Sequence, residues 1–212
     1  MKIGIVTALL TMSVSVAAAK DKKQEETYDF TGFEKIEISG VFELDVRVGG
    51  DFSIELSGRE REMERVEVKM KGETLVLGSK KRSGWGNNNK KAVKARITMP
   101  KLTNIDVSGV VDGYVQDIDS EKFEVDLSGV GDLDLNGKCG ALEANVSGVG
   151  DLDAKSLRCE IVEIRLSGVG DADVYASDAV DAKVSGVGGI DIYGSPKRVE
   201  KSKGFLSDIN IK

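Results

Sequence analysis

Aspartates recur at two fixed positions of a repeated motif in the second half of the chain. The first set is Asp112, Asp132, Asp151 and Asp171, and the second set is Asp134, Asp153, Asp173 and Asp191. If successive copies of the motif stack, neighbouring carboxylates lie about 4.8 Å apart and repel each other by about 1 kcal/mol per pair even in water. Such carboxylates need either a bound cation or hydrogen-bond donors.

Calcium is one possible partner for these carboxylates, because it prefers several carboxylate and carbonyl oxygens. The candidate ligands are Asp132, Asp134, Asp151, Asp153, Asp171 and Asp173. The alternative, which we favour, is that the carboxylates accept hydrogen bonds from backbone N–H groups at turns, while lysines and solvent screen the remaining charge. The motif lacks the nine-residue period of calcium-binding β-rolls, so the sequence predicts no required cofactor.

Catalysis is the second kind of chemistry that paired carboxylates suggest, because two of them can hydrolyse a glycosidic bond. Catalytic carboxylates need different environments that separate their pKa values, whereas these recur in the same setting on every repeat. The chain contains no histidine, which removes His-based triads and most zinc hydrolase sites. We therefore predict no catalytic residue, and a polysaccharide-acting enzyme is the least favoured alternative.

The single tryptophan, Trp85, lies in the polar stretch 80–91 together with Lys81 and Arg82. An exposed aromatic ring beside cations suits stacking on a sugar or contact with an anionic glycan, so these three are the candidate ligand-binding residues. The alternative, which we favour, is a hairpin tip whose tryptophan folds back onto the sheet.

Cys139 lies eight residues before Ser147, and Cys159 lies eight residues before Ser167. Both serines begin a copy of the repeated motif, so the two cysteines occupy the same position in successive copies. Stacked copies would place equivalent atoms about 4.8 Å apart, within the usual Cα separation of a disulfide. We predict a disulfide between them, since an exported protein meets an oxidising environment. Two free buried thiols are the alternative.

The first 19 residues have the three parts of a secretory signal peptide: Lys2, an apolar run over residues 3–16, and the small residues Ala17, Ala18 and Ala19. No later stretch reaches the roughly 18 apolar residues of a membrane span. Without Lys2 the chain has 29 basic and 36 acidic residues, which argues against a nucleic-acid partner. We predict an exported protein that is periplasmic, associated with the outer envelope or extracellular.

The motif Ser-Gly-Val-Gly-Asp, with its variants, must position all these residues. Copies begin at Ser108, Ser128, Ser147, Ser167 and Ser185, so one repeat is about 20 residues long. Apolar and polar residues alternate before each serine, which is typical of half-buried strands. One repeat has too little apolar surface to fold alone and lacks a crossover helix, so the copies are predicted to stack as a parallel β-helix. An antiparallel sandwich is the alternative.

Residues 28–106 alternate less regularly. Gly49-Gly50 and Lys71-Gly72 are typical of hairpin turns, and Ser39-Gly40-Val41 repeats the opening of the motif. This half is predicted to begin a rung, leave it as a β-meander and rejoin the helix near Leu102. The mature chain, 20–212, is thus predicted to be one domain with an irregular region (28–106), regular repeats (107–194) and a C-terminal cap (195–212).

The ordered set of these segments resembles a bacterial family, the head GIN domain of auto-transporter adhesins. The likeness rests on the motif copies, on FTGFEKIEISGVFELDV (30–46), on ITMPKLTNIDVSG (97–109) and on IDIYGSP (190–196). The resemblance implies a right-handed β-helix similar to pectin-lyase-like folds, export, and an adhesive role without known catalytic residues.

We therefore predict an exported, non-catalytic binding protein of adhesin type in the cell envelope or beyond it. A glycan or another cell-surface component is the predicted class of partner. A purely structural envelope protein is the second interpretation of the same sequence.

Overall fold

The computed structural model describes residues 22–80 and 91–212. They form a β-solenoid of about five turns, and the short helix α1 spans Glu60–Met63. The strands are β1 (Lys23–Thr27), β2 (Lys35–Ile38), β3 (Val41–Val48), β4 (Ser53–Arg59), β5 (Val66–Lys71), β6 (Thr74–Ser79), β7 (Val93–Met99), β8 (Asn104–Val107), β9 (Val110–Leu127), β10 (Val130–Val146), β11 (Leu152–Leu166), β12 (Ala172–Val184), β13 (Gly188–Tyr193), β14 (Arg198–Lys203) and β15 (Ser207–Ile211).

The pairing of the repeats confirms the predicted parallel β-helix. β9, β10, β11 and β12 lie side by side in parallel register. Equivalent motif residues face one another: Asp134 pairs with Asp153, and Asp153 pairs with Asp173. The antiparallel sandwich is therefore wrong for the repeats.

Each long strand follows more than one face of the coil. β12 illustrates this, because its first part pairs with β13 and its second part pairs with β14. Alternate side chains point inward and stack on their equivalents in neighbouring rungs, as Phe123, Leu142 and Val162 do. Burying one such side chain contributes about 1.5–3 kcal/mol, and only the neighbouring rungs can cover it.

The N-terminal half extends the solenoid and then covers its end. β2 and β3 stack in parallel on β8 and β9, while β6 and β7 stack in parallel on the other side of β2 and β3. β1, β4 and β5 complete this end with antiparallel pairs. The predicted hairpin at Lys71-Gly72 is confirmed. The one at Gly49-Gly50 is wrong, because β7 lies between β3 and β4.

The Ser-Gly-Val segment forms a corner at which the main chains of successive rungs almost touch. The backbone N–H groups of Ser128 and Gly129 both donate to the carbonyl oxygen of Val107, at 2.9 Å each. A Cβ atom on Gly148 would lie 1.9 Å from the carbonyl oxygen of Gly129. Glycine is required here because the neighbouring backbone occupies the place of a side chain.

This corner predicts that Gly148→Ala destabilises the protein by about 3 kcal/mol or more, since the rungs must separate to admit the methyl group. The matched control is Gly189→Ala, where the added Cβ would meet nothing closer than 3.4 Å, and its effect should stay below about 1 kcal/mol. Denaturant unfolding measures both changes. Equal stability of the two variants would contradict the proposed corner contact.

Candidate functional site

The first set of aspartates forms a hydrogen-bonded ladder along the solenoid. Oδ1 of Asp132 accepts from the backbone N–H of Asp151 at 3.0 Å, and Oδ1 of Asp151 accepts from that of Asp171 at 2.7 Å. Oδ1 of Asp171 then accepts from the N–H of Gly189 at 2.7 Å. Each of these three carboxylates thus binds the main chain of the next rung, and the N–H donors offset the repulsion along the column.

The second set of aspartates has different partners. Lys155 pairs with Asp153 and lies 3.7 Å from Asp173. Burial raises the pKa of Asp173 despite Lys155, whereas hydrogen bonds from Asn210 and Lys212 lower the pKa of Asp191.

Opposite pKa shifts on neighbouring carboxylates resemble an acid–base pair. The side chains of Asp173 and Asp191 remain about 30% and 28% exposed, respectively. These pKa shifts therefore arise on a solvent-exposed sheet surface beside lysines. Such a surface lacks the water-excluded setting that strengthens acid–base chemistry.

Calcium binding by the six candidate aspartates stays a hypothesis. Within residues 22–80 and 91–212, no three His, Cys, Asp or Glu side chains come together as a metal-binding group. The hydrogen bonds of Asp132, Asp151 and Asp171 are the arrangement that the alternative hypothesis requires. Calorimetric titration with Ca²⁺ tests the hypothesis, because heat together with a rise in melting temperature would support it.

The aspartate ladder predicts that Asp151→Ala destabilises the protein by about 1 kcal/mol, because the N–H of Asp171 loses its acceptor. Asp151→Asn is the matched control: its amide oxygen can still accept, so its effect should be smaller. Unfolding in denaturant with and without chelator measures both. If the two variants were equally destabilised only in the absence of chelator, the carboxylate would act through a cation.

Cys139 and Cys159 are paired in register on β10 and β11. Their sulfur atoms are bonded, with a Cα–Cα distance of 4.5 Å. The equivalent positions on the neighbouring rungs are Ser120 and Ala176, so the cross-link joins two rungs only.

The oxidation of this pair is testable in solution. We expect no reactive thiol in the denatured, unreduced protein, and we expect reduction to lower the free energy of unfolding by about 3 kcal/mol, because the bond closes a loop of about 20 residues. The variant with Cys139→Ser and Cys159→Ser should be insensitive to reductant. Two reactive thiols before reduction would contradict the disulfide.

The candidate ligand residues Trp85, Lys81 and Arg82 lie outside the described residues. The positions of their flanking strands are nevertheless informative. Leu77 pairs with Ile38, and Val93 pairs with Phe42. Because Ser39, Gly40 and Val41 connect Ile38 to Phe42, β6 and β7 pair with the chain on the two sides of this Ser-Gly-Val segment.

An apolar row at the corners is the surface feature that the sequence analysis missed. We define the valine row as the third residue of each motif copy: Val41, Val110, Val130, Val149, Val169 and Val187. Successive valines are bridged in parallel, from Val130 to Val149, to Val169 and to Val187. Five of the six are 45–52% exposed. Period-two alternation indicated this orientation, because Val130 has the same parity as the outward Asp132.

The valine row and the motif serines line a shallow groove of about 1020 Å³ along the solenoid. The groove includes six Ser-Gly-Val corners, and Phe205 and Leu206 lie at its C-terminal end. The described residues that line it include no charged side chain, although 31% of the chain is charged. This groove is the candidate binding surface of the protein.

The stretch of chain that forms these corners and rungs matches a known protein family. The family described as "putative auto-transporter adhesin, head GIN domain" matches residues 32–196. The chain belongs to this family. The head GIN domain here therefore comprises the rungs built by β2 and β3 and all five motif copies that begin between Ser108 and Ser185.

Solved structures share this architecture. A protein from Bacteroides fragilis described as a "putative adhesin" is 27% identical, with a TM-score of 0.74 over 91% of this chain and 98% of its own. A "putative lipid binding protein" from Parabacteroides distasonis is 16% identical, with a TM-score of 0.53 over 90% of this chain and 96% of its own. The second likeness shows the fold alone. No curated protein matches the chain, and none of the described helices is long and apolar enough to cross a membrane.

Proposed function

We propose that this head GIN domain is an exported, non-catalytic binding protein with an adhesin-like role, and that the valine row contacts its partner. The carrying observation is the uncharged, half-exposed valine row itself. Contiguous apolar surface on a soluble protein marks an interaction site more often than scattered apolar residues do. Family membership supports a role in adhesion.

A linear polymer of repeating units suits the geometry of the valine row. Successive rungs lie about 4.8 Å apart, so the same pair of a valine and a serine is presented again at each step. Several weak contacts to one polymer combine into a much stronger overall interaction. A cell-surface glycan fits this description, because its sugar rings offer C–H faces to valine methyl groups and hydroxyl groups to the serines.

The role of the aspartates supports binding rather than catalysis. Three of the first-set carboxylates are engaged by backbone N–H groups in the same way. A catalytic pair would instead require two carboxylates with distinct tasks. We therefore assign the first-set aspartates to the scaffold. Asp173 and Asp191 have opposite pKa shifts, but both side chains remain exposed to solvent on the sheet surface, and we propose that the protein is not an enzyme.

Replacing Val130, Val149 and Val169 together by serine tests the proposed surface. Because these side chains are about half exposed, the triple variant should retain its melting temperature within a few degrees. We expect its apparent affinity for immobilised bacterial-surface polysaccharides and for intact cells to fall by about tenfold or more, since three apolar contacts are lost. Surface plasmon resonance and a cell-retention assay measure the two affinities.

Ile161→Ser is the matched control, because Ile161 is an apolar side chain of similar exposure, 46%, away from the groove. It should bind like the native protein. The proposal is wrong if the native protein retains none of the polysaccharides or cells, or if the control and the triple variant lose binding equally. Release of reducing sugar ends from a polysaccharide by the native protein would assign an enzymatic function instead.

A further inference from the structure

The turn between β14 and β15 presents an apolar pair to solvent. Phe205 is 100% exposed and Leu206 is 65% exposed; we call these two residues the tip. Leu206 continues the valine row by one rung, because Gly188 pairs with Ser207. A fully exposed phenylalanine makes no contribution to the core, so the fold does not explain its presence.

The turn that carries the tip is held in place by hydrogen bonds. The N–H of Gly204 donates to the carbonyl oxygen of Val184 at 2.8 Å, and the hydroxyl of Ser207 donates to the carbonyl oxygen of Gly204 at 3.2 Å. The two apolar side chains are therefore presented outward from an anchored turn at the end of the solenoid.

Positive charge is concentrated beside the tip. Lys201 and Lys203 precede it, and Lys203 pairs with Asp208 at 2.6 Å. Both partners are more than half exposed, so the Lys203 ammonium can contact a second anion while it remains beside Asp208. Residues 197–212 carry five basic and two acidic side chains. Lys197 and Arg198 pair with Asp178, and Lys212 pairs with Asp191. Lys201 and Lys203 are therefore the two lysines of this segment that bear on the tip, and the Lys201 ammonium also donates to the carbonyl oxygen of Ile209 at 3.5 Å.

The rest of the valine row has the opposite electrostatic character. Asp132, Asp151 and Asp171 each follow a row valine by two residues, so an anionic surface would be repelled there. In the last motif copy this position is Gly189, and its neighbour on the final rung is Asp208, which Lys203 already neutralises. Of the described groove, the tip is the part at which an anionic surface meets attraction.

We propose that the tip docks the protein on an anionic phospholipid surface. Phe205 and Leu206 enter the boundary between headgroups and acyl chains, and Lys201 and Lys203 contact the lipid phosphates. Apolar side chains beside lysines are the combination that binds such interfaces, since apolar burial and attraction to anionic lipids add. This docking goes beyond the proposed function, because it uses the end of the solenoid and does not require the valine row.

Vesicle flotation tests the docking with the native protein. We expect flotation with vesicles of phosphatidylcholine mixed with phosphatidylglycerol, and little with phosphatidylcholine alone. Two double variants should each bind the mixed vesicles with an affinity about tenfold lower than that of the native protein, or lower still. One carries Phe205→Ser and Leu206→Ser, and the other carries Lys201→Gln and Lys203→Gln. Melting temperatures should be unchanged, because the tip side chains are outside the core.

The triple serine variant of the valine row is the control and should float like the native protein. Failure of the native protein to float with mixed vesicles would overturn the proposal, as would normal flotation of the Phe205 and Leu206 variant. Flotation lost only in the valine-row variant would assign lipid contact to the row instead. Self-association that the tip variant abolishes, without flotation, would assign the tip to a second copy of the chain. The two proposals fail separately, because flotation is measured without polysaccharide and polysaccharide binding is measured without lipid.

Discussion

Backbone-to-backbone contact at the Ser-Gly-Val corner governs how the rungs stack. At Gly148, Gly168 and Gly186, a Cβ atom would lie 1.9–2.0 Å from the carbonyl oxygen of the corner glycine on the previous rung. With no side chain in the way, the N–H groups of each corner reach the carbonyl oxygens of the rung before. The corner therefore fixes the register of one rung on the next, and a shift by one residue would turn every apolar side chain outward.

A fixed register turns each repeated residue into a column. Inward positions become stacked aliphatic side chains, the first aspartates become a ladder of N–H acceptors, and the two cysteines become a cross-link between rungs. The third motif residue becomes the valine row, which is directed outward because the chain alternates through the corner. The same constraint that builds the core thus also creates a straight surface along the solenoid, and the described residues that line it include no charged side chain. The proposed binding function depends on this alignment, because a linear polymer can contact only equivalents that lie in line.

The sequence predicted what depends on spacing and parity, and it failed where distant segments intervene. The interval between Cys139 and Cys159 was enough to place them opposite each other, and alternation before each serine was enough to predict parallel stacking. Gly49-Gly50 looked like a hairpin, but β7, which lies about 40 residues further along the chain, pairs between the two strands. No local pattern contains that information.

The candidate surface was missed for a different reason. The parity of Val130 with Asp132 already indicates an outward valine, but parity alone does not show that the outward valines of successive rungs line one groove. The tip at Phe205 could not be recognised from sequence, because its exposure depends on how the last rung ends.

Cross-linking of adjacent valines tests the register of the corners most directly. In a background with Cys139→Ser and Cys159→Ser, the substitutions Val149→Cys and Val169→Cys place two thiols on bridged residues of successive rungs. Since the native cysteines bond across the same step with Cα atoms 4.5 Å apart, the new pair should oxidise readily under mild conditions. Val149→Cys combined with Val187→Cys, two rungs apart, should remain reduced. Oxidation of the second pair without the first would contradict the stacked register on which the whole account rests.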